Sequence, residues 1–129
     1  MEIGDASSGE LVPYSNGGAV ELVLGNQGSM MITPWVRVDA LEGDAEEACF
    51  VVRLENEMEG PLAEDPDAVK SNQFNVQFLR KGSFFLSDGA LYHPFSWDRE
   101  TLAGEKMKLT ANVRGDGFEG TKSVNIVLE

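Results

Sequence analysis

Apolar and polar residues alternate along most of this chain. In Asn72–Arg80, Phe74, Val76 and Phe78 fall on one side, and Gln73, Asn75 and Gln77 on the other. Lys106–Arg114 repeats the pattern, with Met107, Leu109, Ala111 and Val113 against Lys106, Lys108, Thr110, Asn112 and Arg114. Successive strand side chains point to opposite faces, so a period of two puts one face in a core and the other in water. Val20, Leu22 and Leu24 form another inward set, as do Ala48, Phe50, Val52 and Leu54, and then Val124, Ile126 and Leu128.

Through Met30–Asp39 the same period groups Ile32, Pro34, Val36 and Val38 on one face and Met31, Thr33, Trp35 and Arg37 on the other. Pro34 cannot donate to a strand ladder and marks an edge or a bulge. A bulge would reverse the parity and bury Trp35. Unbroken parity leaves Trp35 partly exposed beside Arg37.

Asn16-Gly17-Gly18, Asp88-Gly89 and Asp116-Gly117 tolerate positive φ and punctuate the runs. Asp88-Gly89 is expected to join Ser83–Ser87 to Ala90–His93, and Asp116-Gly117 to join the last two strands as a hairpin. Helix is minimal. Asp98 to Gly104 has an N-cap residue, early acids and a terminal glycine, enough for one or two turns. Asp65 to Val69 offers another single turn within a long acidic loop, 56–71.

The strand runs are Glu10–Tyr14, Ala19–Leu24, Met30–Asp39, Ala48–Glu55, Asn72–Lys81, Ser83–Leu86, Ala90–His93, Lys106–Arg114 and Lys122–Leu128. Short strands at this spacing predict an all-β fold, an immunoglobulin-like antiparallel β-sandwich of seven to nine strands. At 129 residues the chain fits one domain, 1–129.

Charge narrows the partner classes. The chain has 22 acidic and 10 basic residues, a net charge of −12. Phosphate-neutralising nucleic-acid binding needs the opposite field, and anionic membrane surfaces are disfavoured for the same reason. Between Asp39 and Asp67 eleven acids face one base, Arg53, a net of −10. Acidic runs are usually solvated faces. Within this run, Glu42 to Glu47 and Ala63 to Asp67 offer oxygens of the kind calcium takes, without EF-hand spacing.

Cys49 is the one cysteine and His93 the one histidine. No intrachain disulfide can form, a blue-copper site lacks its second histidine, and structural zinc lacks ligands. Met30, Met31, Met58, Met107 and His93 are the ligands a softer copper site would draw on, but Met107 belongs to an inward strand face, which core packing explains better. No Gly-x-Ser-x-Gly elbow accompanies the histidine, and Cys49 has no activating neighbour in sequence. His93 reads as a strand-end residue before Pro94. No cofactor is implied. Met1-Glu-Ile-Gly-Asp has neither a basic start nor an apolar run, so no signal peptide is expected here. No run approaches a membrane span.

Phe84, Phe85, Tyr92, Phe95 and Trp97 form a dense aromatic cluster. Most of it is expected to fill the core. Phe84 and Phe85 cannot share a face, and an exposed aromatic at a sandwich edge suits a sugar or protein contact.

Val23-Leu-Gly-Asn-Gln-Gly-Ser-Met-Met-Ile32 resembles a family of exported bacterial proteins, often predicted lipoproteins, with a Gly-x-Gln-Gly-Gly-x-His motif leading into a strand. Gly25, Gln27 and Gly28 match, while Ser29 replaces a glycine and Met31 the histidine. Asn112 to Gly120 is similar to that family's terminal hairpin. The resemblance implies an immunoglobulin-like sandwich and an extracytoplasmic location, with no known activity. Gln27 reads first as a turn residue capping backbone groups. The candidate partner contacts are Trp35, Arg37, Gln27, Tyr92 and His93. The function expected is a non-enzymatic extracytoplasmic binding or structural module with an unknown protein or glycan partner. The alternatives are a calcium-stabilised adhesion-like domain and, behind it, a carboxylate-based hydrolase.

Overall fold

The structure is a computed structural model that describes all residues except 26–27, 40–42 and 116. Strands hold 56% of the residues and helix 7%, which makes the chain all-β. The strands are β1 (Glu2–Asp5), β2 (Val12–Pro13), β3 (Gly18–Val20), β4 (Val23–Leu24), β5 (Met30–Ile32) and β6 (Trp35–Asp39), then β7 (Glu47–Met58), β8 (Ser71–Lys81), β9 (Phe84–Ser87), β10 (His93–Pro94), β11 (Lys106–Gly115) and β12 (Phe118–Leu128).

Nine strands form one curled sheet in the order β2-β1-β6-β9-β8-β7-β11-β12-β3, and β10-β5-β4 form a smaller one. The run β8-β7-β11-β12 corresponds to strands C′, C, F and G of an immunoglobulin-like sandwich, and β4-β5-β10 to A, B and E. Pairing is antiparallel except that β3 runs parallel to β12. The large sheet curls until β1 approaches β12, where Lys122 Nζ lies 3.7 Å from Glu2 Oε1.

The expected alternation explains the long strands. Ala48, Phe50, Val52 and Leu54 of β7 are buried, with Val52 opposite Phe74 on β8 and Val113 on β11. Met107, Leu109, Ala111 and Val113 turn inward beside Val124, Ile126 and Leu128. These residues join Ile32, Val36, Val38 and Phe78 in one contiguous core. Phe50 packs edge-on against Phe78, with centroids 4.9 Å apart.

Three expectations are corrected. Ala19–Leu24 is not one strand: the chain leaves the large sheet after Val20 and enters the small one at Val23, crossing at Leu22, whose N–H donates to the Glu129 carbonyl at 2.7 Å. The change of sheet breaks the parity, and Leu24 is 64% exposed rather than inward. Met30–Asp39 is also divided, into β5 of the small sheet and β6 of the large, with Thr33 and Pro34 at the switch. Asp88-Gly89 likewise turns the chain between sheets, because β9 pairs with β6 and β8 while β10 pairs with β5.

Turns and caps follow the sequence more closely. β11 and β12 meet as a hairpin at Gly115 opposite Phe118; Asp116 lies outside the described residues. Gly82, with φ of +63°, turns β8 into β9. The helix is α1 (Arg99–Leu102), and Asp98 caps it by accepting from the Thr101 N–H at 2.9 Å. In the long loop a 3-10 helix occupies Gly60–Glu64, and Asp65 to Val69 begins with a turn in which Asp67 N–H donates to Asp65 Oδ1.

Candidate functional site

Two places bring chemistry-bearing side chains together, one inside the sandwich and one on its surface. The inner one centres on His93. As the residue before Pro94, His93 is biased to extended backbone, and β10 places it inward on the small sheet. The ring is fully buried. It faces Asn56 on β7 and Asn72 on β8, across the interior of the sandwich.

Asn56 Nδ2 donates to the Val69 carbonyl at 2.8 Å and lies 2.7 Å from His93 Nε2. The first bond fixes the amide nitrogen toward the ring, so Nε2 accepts and Nδ1 carries the proton. Asn72 Nδ2 stands 3.1 Å from Nδ1. A neutral imidazole has one donor and one acceptor, so the Asn72 amide must be turned over to present Oδ1 to the Nδ1 proton. Burial lowers the His93 pKa from its usual 6.5 to about 4. Phe95 closes one side edge-on, with centroids 5.5 Å apart. Among the described residues His93 has no Ser, Cys or carboxylate partner, and it joins the two sheets as a neutral ring. It is not a surface contact.

The outer place is a groove of about 860 Å³. Its floor takes Met31, Thr33 and Trp35, the outward face of the chain as it passes from β5 to β6. Pro34 shares the buried face and interrupts the ladder without a bulge, so Trp35 keeps the outward parity. Tyr92 enters from the segment before β10, and Tyr14 from the segment after β2. Val12 and Tyr92 are 62% and 60% exposed, and with Leu24 they are the exposed large apolar residues among those described.

Three strands that end their sheets border the groove: β2 through Val12 and Pro13, β3 through Gly18 to Val20, and β4 through Val23. Among the described residues each has one edge without a partner strand. Asp5 and Glu21 are the charged residues of the lining. Both are exposed, and Asp5 accepts from the Ser7 N–H and hydroxyl, each at 3.0 Å. Burial, reinforced by the Asp5 charge, holds the Tyr14 phenol above its ordinary range.

The other candidates lie apart. The Arg37 guanidinium sits 4.3 Å over the Phe84 ring, in a separate groove of about 440 Å³ shared with Glu10 and Lys81. That stacking covers the partly exposed member of the Phe84–Phe85 pair, while Phe85 is buried. Gln27 lies outside the described residues. Trp97 is half-buried and donates from Nε1 to Asp65 Oδ2 at 3.1 Å. Met30, Met58 and Met107 are core residues, and Cys49 is exposed on the outer face of β7.

Among the described residues no three His, Cys, Asp or Glu side chains converge as a metal site; Glu42, in one of the acidic loops, lies outside those residues. Among the described residues no helix is long and apolar enough to cross a membrane. The groove therefore gathers Trp35 and Tyr92 from the sequence candidates and adds Tyr14, Val12, Asp5 and Glu21. Alternation alone gave no signal for these four, because it assigns faces and not neighbours. No family model matches the chain, and no curated protein or solved structure matches it.

Proposed function

We propose that the protein is a non-catalytic, extracytoplasmic binding module and that the groove at Trp35 and Tyr92 holds its partner. One observation carries this reading: two of the exposed large apolar residues, together with Trp35, face the same concave surface bordered by three sheet edges. Exposed apolar surface in a groove with a polar rim is the usual mark of a binding site. The extracytoplasmic placement is supported by the resemblance around Gly25 and Gly28. The hydrolase alternative has two acids in the groove, but both stand in solvent, whereas a general acid needs a carboxyl held away from water.

Amide-resolved NMR with a panel of short peptides and oligosaccharides tests the reading. Binders should shift amides at 12–23, 31–35 and 90–92, and the double variant Trp35→Ala/Tyr92→Ala should lose at least about tenfold in affinity, the scale of one aromatic contact or more. Its unfolding midpoint should stay near that of the parent. Shifts confined to the acidic loops, or turnover of a bound probe, would overturn the proposal.

A further inference from the structure

Resting on the groove as the binding site, we infer that its occupant is an extended peptide segment bearing lysine or arginine, laid along the free edges of β2, β3 and β4.

The argument has three steps. First, the charged residues of the lining are Asp5 and Glu21, with no lysine or arginine among them, on a chain of net charge −12. A cationic partner is complemented in the groove and drawn to it by the long-range field. A second copy of this chain would bring another −12 and is repelled.

Second, Tyr14, Trp35 and Tyr92 present aromatic surface beside those acids. Aromatic faces attract ammonium and guanidinium groups, more strongly where water is partly excluded. Lysine and arginine also carry aliphatic stems that can lie against Val12 and Val23 while the charged head reaches a carboxylate.

Third, strand edges border the groove. It is about 860 Å³, and β2, β3 and β4 each end a sheet beside it. An unpaired edge offers main-chain donors and acceptors at strand spacing, and an added strand satisfies them. Pro13 cannot donate, so β2 supplies carbonyls only at that position. An extended peptide places alternate side chains toward the floor, where the aromatics stand.

The probe pair is the acetylated, amidated peptide Val-Lys-Val-Lys-Val and its counterpart with both lysines replaced by glutamate, with cellotetraose as the neutral oligosaccharide. Each is titrated into the ¹⁵N-labelled chain at low salt. The lysine peptide should move the Trp35 indole N–H and the amides of 18–23, leave the Trp97 indole in place, and bind at least tenfold tighter than the glutamate peptide. Asp5→Asn/Glu21→Gln should weaken it severalfold while the amide shifts of β7 and β11 stay those of the parent fold. Equal binding of the two peptides, or no shift from the lysine peptide at millimolar concentration, overturns the inference. Shifts at Trp35 from cellotetraose alone overturn it too, while leaving the groove in place as a glycan site.

Discussion

His93 commits both ring nitrogens to asparagine amides and leaves neither for solvent. Protonation would give the ring two donors, while Asn56 is already fixed as a donor by Val69. The charged form is therefore refused twice, by burial and by the direction of a hydrogen bond. The unfolded chain takes the proton near pH 6.5 and the folded chain only near 4. Between these values the unfolded state binds more protons, so stability is complete above pH 6.5 and falls as the pH drops toward 4. Each unit of difference is worth about 1.4 kcal/mol, so roughly 2 kcal/mol should be gone by pH 5. Urea titrations at pH 7.5 and 5 check this against His93→Gln, which should lose less between the two conditions. Equal losses would place the acid sensitivity elsewhere. Trp35 was legible in the sequence because parity and Pro34 constrain it, whereas Tyr92 sat in an aromatic cluster expected mostly to fill the core and is exposed. The His93 network was not legible: alternation puts Asn56 in register with Leu54 and Asn72 with Phe74 on the inward faces, but the partners lie 37 and 21 residues from His93 and nothing in the sequence pairs them with it.

At the scale of elements, alternation identified β7, β8, β11 and β12 with their buried faces, since each stays in one sheet throughout its length. It failed at the crossing from β3 to β4, while the crossing from β5 to β6 keeps its parity. Leu24 keeps the period of Val20 and Leu22 in sequence yet points to solvent, because parity is defined only within one sheet. The same crossings build the groove, so the fold was more legible than the site. One wall of the groove depends on a close approach. Gly4 on β1 lies against β2, and a Cβ built there would collide with the Val12 carbonyl oxygen, a backbone atom that cannot rotate away. Gly4→Ala should push β2 off β1 at a cost of about 1–3 kcal/mol, the usual range for overpacking. The disruption should be local. The Tyr14 N–H, which donates to the Ile3 carbonyl at 3.0 Å, should lose protection against hydrogen exchange, while amides in β7 and β11 change only with global stability. Unchanged exchange at Tyr14 would mean that β2 absorbs the methyl and the wall stays in place.

At the scale of the molecule, the net charge of −12 is scarcely compensated by contact pairs. Within 4 Å, the described residues form the pairs Arg53–Glu55 and Lys122–Glu2, both solvent-exposed. The compact state therefore carries self-repulsion that unfolding relieves. Sodium chloride shortens the Debye length from about 30 Å at 0.01 M to about 3 Å at 1 M, and the unfolding midpoint should rise by a few degrees over that range. Calcium should add nothing at fixed ionic strength if the acidic 39–67 segment is only a solvated face. A cation bound at a hundredfold over its Kd would add about 2.7 kcal/mol, enough to raise the midpoint further by several degrees and to restore the calcium-stabilised reading. The groove supplies the opposite dependence. The field that destabilises the fold also draws a cationic peptide, so salt should weaken the lysine peptide while it stabilises the protein. Measured on one sample series, the two slopes should have opposite signs. If peptide affinity rose with salt as well, its binding would rest on apolar burial alone, and Asp5 and Glu21 would drop out of the site.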